Sequence, residues 1–158
     1  MSFAPDITEQ LARARADLRM GVPVVLVGEA QAALVLAAET LTAQRLADVL
    51  ALGGAPVLAI TARRAETLKA RAYDGNLARV LLPPGATPAW VQSIADPADD
   101  LRAPMKGPLQ TARGGDTAAH SAALDLVKAA RMLPAALVLD LPQGADFARL
   151  HGLTLIDL

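Results

Sequence analysis

The stretch Gly114–Leu141, GGDTAAHSAALDLVKAARMLPAALVLDL, carries the clearest fold signal in the chain. Two glycines lead through Asp116 and Thr117, either of which can cap, into a helical run, and Pro134 then opens the apolar run AALVLDL, which reads as a buried strand. A helix that follows glycines and feeds straight into an apolar strand is the unit of a layered α/β domain. Glycines before a helix N-terminus also leave free amides, and Arg113 adds a guanidinium, so Arg113, Gly114, Gly115 and Asp116 form a candidate phosphate cradle.

The same alternation extends outward in both directions. Upstream, Asp6 and Glu9 have capping-box spacing, and Ile7, Leu11, Ala14 and Leu18 share one helical face that ends at Gly21. Pro23–Val27 and Ala32–Ala38 are apolar runs either side of the turn Gly28–Gln31 and predict a hairpin with Glu29 at its tip. A helix follows from Thr42 to Leu52, then the strand PVLAIT, a charged helix over 62–72, the turn at Asp74-Gly75 and the strand ARVLLP. Pro88 opens a helix with Trp90 and Ile94. The region from Asp96 to Gly115, with Pro97, Pro104 and Pro108, reads as a loop with a short strand near Leu109. Downstream, a short helix Asp146–His151 closes at Gly152, and LTLIDL is a last strand. No internal repeat or linker divides residues 1–158, which read as one domain.

Composition narrows the function. Over 158 residues, 53% hydrophobic content is ample for a core, and 15 basic against 16 acidic side chains leave a net charge of -1. A nucleic-acid surface needs a basic face and stacking platforms, yet the aromatics are only Phe3, Tyr73, Trp90 and Phe147. The absence of cysteine excludes disulfides, thiolate nucleophiles and cysteine metal sites. The N-terminal run has charges throughout, so neither a secretory signal nor a membrane span is expected there, and a cytoplasmic location is.

The titratable candidates are few. His151 stands at a helix C-terminus, where a cation interacts well with the dipole. His120 stands near a helix N-terminus, where the dipole disfavours imidazolium, and is expected to be neutral and partly exposed. Asp96, Asp99 and Asp100 lack the spacing of a calcium loop and read as a solvated turn.

Several segments in order, GVPVVLV, LVLAAETLT, QSIADPADDLRAPMKGPLQTARGG, ALDLVKAARMLPAALVLDL and FARLHGLTLIDL, resemble 3,4-dihydroxy-2-butanone 4-phosphate synthase, the riboflavin-pathway enzyme acting on ribulose 5-phosphate. The resemblance implies an α/β (α+β) layered mixed-sheet domain, a homodimer, and a magnesium site built on an acidic loop of pattern Arg-Glu-x-Glu-Gly-Asp. It also implies a Gly-His-Thr-Glu segment. This chain departs from both patterns. Only Glu29 matches an acidic ligand, with Gln31 and Ala33 at the other positions. Counting back from Asp125-Leu126, Ala119 stands at the histidine and Ser121 at the glutamate, with His120 one residue out of register and so rotated by about 100°. The segment that would hold the substrate loop is short, since RVLLPPGATP runs almost directly into the helix before DPADD.

Glu29 and His120 are therefore expected to be remnants of a site, with no catalytic residue and no magnesium retained. The synthase domain often precedes GTP cyclohydrolase II, so the expected role is that of a degenerate synthase-like domain, structural or oligomeric, at the N-terminal side of such a protein or as its companion. The alternative is an enzyme or small-molecule binder that reuses the cleft for a phosphorylated ligand at Arg113–Asp116.

Overall fold

The computed structural model describes residues 1–101 and 107–158, with Asp99 described by its backbone alone. Pro104 and the middle of the predicted proline-rich connector lie outside the described residues, as does the Asp99 carboxylate.

Local sequence sets most element boundaries. Helix α1 (Ile7–Arg19) starts at the predicted capping box: Asp6 Oδ1 accepts from the Glu9 amide at 2.8 Å, and Glu9 Oε1 accepts from the Asp6 amide at 3.0 Å. Strands β1 (Val24–Val27) and β2 (Ala32–Ala37) form the predicted antiparallel hairpin, with Gly28 and Gln31 closing its turn at 2.7 Å. Thr42 caps α2 (Ala43–Ala51), and β3 (Val57–Thr61) leads into α3 (Ala62–Thr67). Helix α3 stops five residues before the predicted end at residue 72. Lys69 turns left-handed at φ 58°, and the Ala70 amide reaches back to the Ala65 carbonyl at 2.8 Å, a C-terminal motif that satisfies the last carbonyls without glycine.

Strand β4 (Leu77–Leu81) is followed by α4 (Pro88–Ala95) and a short 3-10 turn Pro97–Asp99. The strand expected near Leu109 forms as β5 (Thr111–Ala112), paired to β4. Then come α5 (Ala118–Ala129), β6 (Ala135–Leu141), α6 (Gly144–His151) and β7 (Leu155–Asp157).

Among the described residues, seven strands form one mixed sheet, order β5-β4-β3-β6-β2-β1-β7, antiparallel throughout except for the β1–β7 pair. Both faces are covered. On β6, Ala136 and Val138 belong to the core beneath α1 and α5, while Leu137 and Leu139 belong to the core with α2, α4 and α6. A strand buried on both faces has no polar alternation, which is why AALVLDL reads as a continuous apolar run.

Helix α6 approaches the hairpin closely at one point. A Cβ on Gly144 would stand 2.4 Å from Ala32 Cβ and 3.2 Å from Val27 Cγ2. Only glycine lets the first turn of α6 lie on β1 and β2, and this contact holds the hairpin turn at one end of the sheet.

Candidate functional site

That end of the sheet carries a cleft of about 260 Å³ on the α1/α5 face. Alternation along the strands produces it. Residues Leu77 and Arg79 of β4 share a face, as do Val138 and Asp140 of β6, and α5 starts too late in the chain to cover the outer member of each pair. Gln31, Gly115, Asp116 and His120 complete the lining beside Arg79 and Asp140.

Arg79 is the fixed centre of this region. It is only 8% exposed; its Nε and Nη2 donate to the two Asp74 carboxylate oxygens at 2.8 and 3.0 Å, and Nη2 also donates to the Gly114 carbonyl at 2.6 Å. The planar fork matches a carboxylate in two-point contact, so one side chain ties the Asp74-Gly75 turn and the glycine loop to β4. Gly114 and Gly115 have φ of 83° and 76°, a left-handed pair that turns the Gly114 carbonyl toward Arg79 and delivers the chain to α5. Asp116 settles the choice of cap: its Oδ1 accepts from the Ala118 amide at 2.9 Å, whereas the Thr117 side chain makes no capping bond.

His120 is buried at 5% exposure, correcting the expectation of a partly exposed ring. It lies on the stripe His120, Ala123, Leu124, Val127, whose i, i+3, i+4, i+7 spacing faces the sheet. Ala119 and His120 are both buried, and it is His120 that borders the cleft. Among the described residues its Nδ1 is buried without a partner, a state that costs about 1–3 kcal/mol. Burial, and then the Arg79 guanidinium, lower its pKa below the ordinary histidine value; the negative charges of Asp140, Asp74 and Asp116 oppose the shift. The ring is neutral near pH 7.

The other sequence candidates fall elsewhere. Glu29 is exposed and borders a separate depression between the hairpin turn and the start of α6. Of the phosphate candidates, Gly115 and Asp116 border the cleft, the Gly114 carbonyl is taken by Arg79, and Arg113 lies with Cζ 5.2 Å from the centre of the Tyr73 ring, outside the lining. His151 is exposed at the end of α6, its ring 4.4 Å from that of Phe147. In DPADD, Asp96 caps the Ala98 amide and Asp100 pairs with Arg64 at 2.7 Å. The sequence reading did not single out Arg79 or Asp140. Each is a charged residue inside an otherwise apolar strand, ARVLLP or AALVLDL, and that interruption is the signal that marks them.

No protein-family model matches the chain. Among solved structures, it is similar to a cation-free 3,4-dihydroxy-2-butanone 4-phosphate synthase, with TM-score 0.67 and 17% identity over 93% of this chain and 92% of that one. The corresponding enzyme of Candida albicans gives TM-score 0.66 and 16% identity over 93% and 92%. The chain has the 3,4-dihydroxy-2-butanone 4-phosphate synthase fold. A two-domain synthase from A. baumannii matches this synthase-like domain with TM-score 0.66 and 18% identity over 93% of it and 55% of that chain. In sequence, the domain is 33% identical over 152 residues to the GTP cyclohydrolase-2 of Azospirillum brasilense, covering 91% of this chain but 39% of that protein. It thus spans about two fifths of that relative's length.

Another synthase of this fold, 15% identical with TM-score 0.67, is described in complex with two magnesium ions. Among the described residues, no group of three or more His, Asp or Glu is placed to hold a metal ion. The carboxylates that do border the cleft, Asp116 and Asp140, share it with a buried guanidinium. No helix among the described residues is long and apolar enough to cross a membrane.

Proposed function

We propose that this is a catalytically degenerate synthase-like domain of a riboflavin-biosynthesis protein of the GTP cyclohydrolase II type, serving a structural or oligomeric role. The observation that carries this reading is the separation of its two remnant candidates. Glu29 is exposed at the hairpin tip and borders the depression by the start of α6, whereas His120 borders the cleft beside α5, so these two remnants do not line a common cleft. Proton transfer needs its groups within hydrogen-bond reach of the same substrate atoms. Likeness to the A. brasilense GTP cyclohydrolase-2 over 91% of the chain supports the pathway and the partner domain.

The test is incubation with ribulose 5-phosphate and magnesium. The expected outcome is formate release no greater than in a protein-free control, and release that disappears in Glu29→Ala would overturn the reading. A structural domain of this kind is also proposed to pair with itself, two-fold pairing being the commonest homo-oligomer. Light scattering over a dilution series should give twice the 16.3 kDa of one chain, and a persistent single-chain mass would remove the oligomeric role.

A further inference from the structure

Helices α2 and α6 both cover the sheet face opposite α1 and α5, and the groove between them has a volume of about 480 Å³. Helix α2 presents to it the stripe Arg45, Asp48, Val49 and Leu52, at i, i+3, i+4 and i+7, and α6 presents Phe147 and His151. Leu52 is 48% exposed and Leu150 80% exposed. Leu150 lies about 60° round α6 from Phe147, on the side away from the buried Ala148, so it stands at the outer lip of the groove. A single exposed leucine is ordinary, but two at the rim of one apolar groove make a patch that favours being covered.

The charges at this rim are a second, independent observation. Arg45 is half-buried, and among the described residues its guanidinium has no hydrogen bond or ion pair. Asp48 is exposed and, among the described residues, its side chain accepts only from the neutral Gln44 amide, at 2.9 Å. Three residues apart, the two share one helix face about 4.5 Å apart along the axis, yet Asp48 turns toward Gln44 and leaves Arg45 unpaired. His151 is the one other titratable group among the described lining residues.

A patch with one unpaired charge of each sign is complementary to its own rotated image. About a two-fold axis residue i meets j while j meets i, so Arg45 of each copy meets Asp48 of the other and two charge pairs form beside the leucines. A foreign partner of either sign would bring a like charge to Arg45 or to Asp48, which costs affinity. The net charge of -1 leaves little long-range repulsion between copies.

We propose that the α2/α6 groove is the face through which two copies of this chain pair, with reciprocal Arg45–Asp48 contacts and with Leu52 and Leu150 covered. This inference rests on the self-pairing proposed above and adds its location.

The test is light scattering over a dilution series for the wild-type chain, Arg45→Asp, Asp48→Arg, the swap carrying both changes, and Leu150→Asp, scored on chains with native circular dichroism. The wild-type chain should give the dimer mass. Each single charge reversal sets like charges opposite each other twice and should raise the dimer dissociation constant at least about tenfold, as should Leu150→Asp. The swap should restore pairing, because it exchanges the two partners and keeps both contacts opposite in sign. An equimolar mixture of Arg45→Asp and Asp48→Arg chains should recover the dimer mass as a heterodimer, a rescue that a folding defect does not produce.

A wild-type dimer indifferent to the three single variants, or one that weakens without rescue in the swap and the mixture, places the interface elsewhere and overturns this inference while the oligomeric role stands. A wild-type mass that stays at one chain leaves the groove to another occupant and overturns both.

Discussion

Two arginines in this molecule make nearly the same contact with opposite results. Arg64, on α3, donates from Nη1 and Nη2 to the two Asp100 oxygens at 2.7 and 2.8 Å, and its remaining reach goes to backbone: Nε to the Ile94 carbonyl at 2.7 Å and Nη2 to the Ser93 carbonyl at 3.2 Å. All three of its nitrogens are used, and they satisfy carbonyls at the end of α4, where a cation also complements the helix dipole. Arg79 holds Asp74 through a different fork, Nε and Nη2, and takes one carbonyl, that of Gly114, while its Nη1 has no protein partner among the described residues. The Arg64 clamp closes a helix end. The Arg79 clamp leaves an open cleft beside it, bordered by Asp116, Asp140 and His120, whose Nδ1 is buried without a partner among the described residues. A completed network is framework, and an incomplete one leaves a buried polar atom to be accounted for.

The comparison breaks first at Arg79. The Asp74 side chain is only 6% exposed, so Arg79→Met leaves a buried charge unpaired and should lower unfolding free energy by about 3–5 kcal/mol in urea titrations. Replacing both partners by apolar residues should recover part of that loss. Arg64→Met should cost less, about 1.5–3 kcal/mol, because the Asp100 side chain at 28% exposure can be rehydrated. If the two losses are equal, burial of the partner is not what separates the clamps.

His120 adds a pH dependence specific to the cleft. Its folded pKa is lowered, so the unfolded state binds more protons in the acid range. The stability this provides is complete above the unfolded value of about 6.5 and is lost as pH falls from there through the folded pKa, with a slope of at most ~1.4 kcal/mol per pH unit. Urea midpoints from about pH 7.5 down to about pH 5, a range that brackets the unfolded value, should show the slope, and His120→Gln should flatten it. The smallest effect is expected for Asp140→Asn, within about 0.5 kcal/mol, because this side chain is exposed and makes no ion pair among the described residues. A larger loss would make Asp140 part of the framework.

Much of the fold was legible because its determinants are local. The Asp6–Glu9 box, the Thr42 cap, the Pro88 start and the short hairpin turn each act within a few residues, and the structure has them where the sequence reading expected them. The end of α3 was misread because the left-handed turn falls on Lys69, a residue type that carries no stop signal. In the site, the glycine pair and the helix start were readable, but the burial of His120 was not inferred, although its stripe with Ala123, Leu124 and Val127 was present in the text.

What the sequence by itself determined, then, is the alternation of helices and apolar strands, their caps and the hairpin, since these follow from propensity, periodicity and near-neighbour hydrogen bonds. Only the tertiary structure decided which polar residues meet. Strand order brings Arg79 of β4 and Asp140 of β6 to the two sides of β3, and the start of α5 sets His120 over them, joining residues up to 61 positions apart in the chain. Such pairings depend on sheet register and on which strand ends a helix leaves uncovered. Those are properties of the packed whole that no local pattern of side chains encodes.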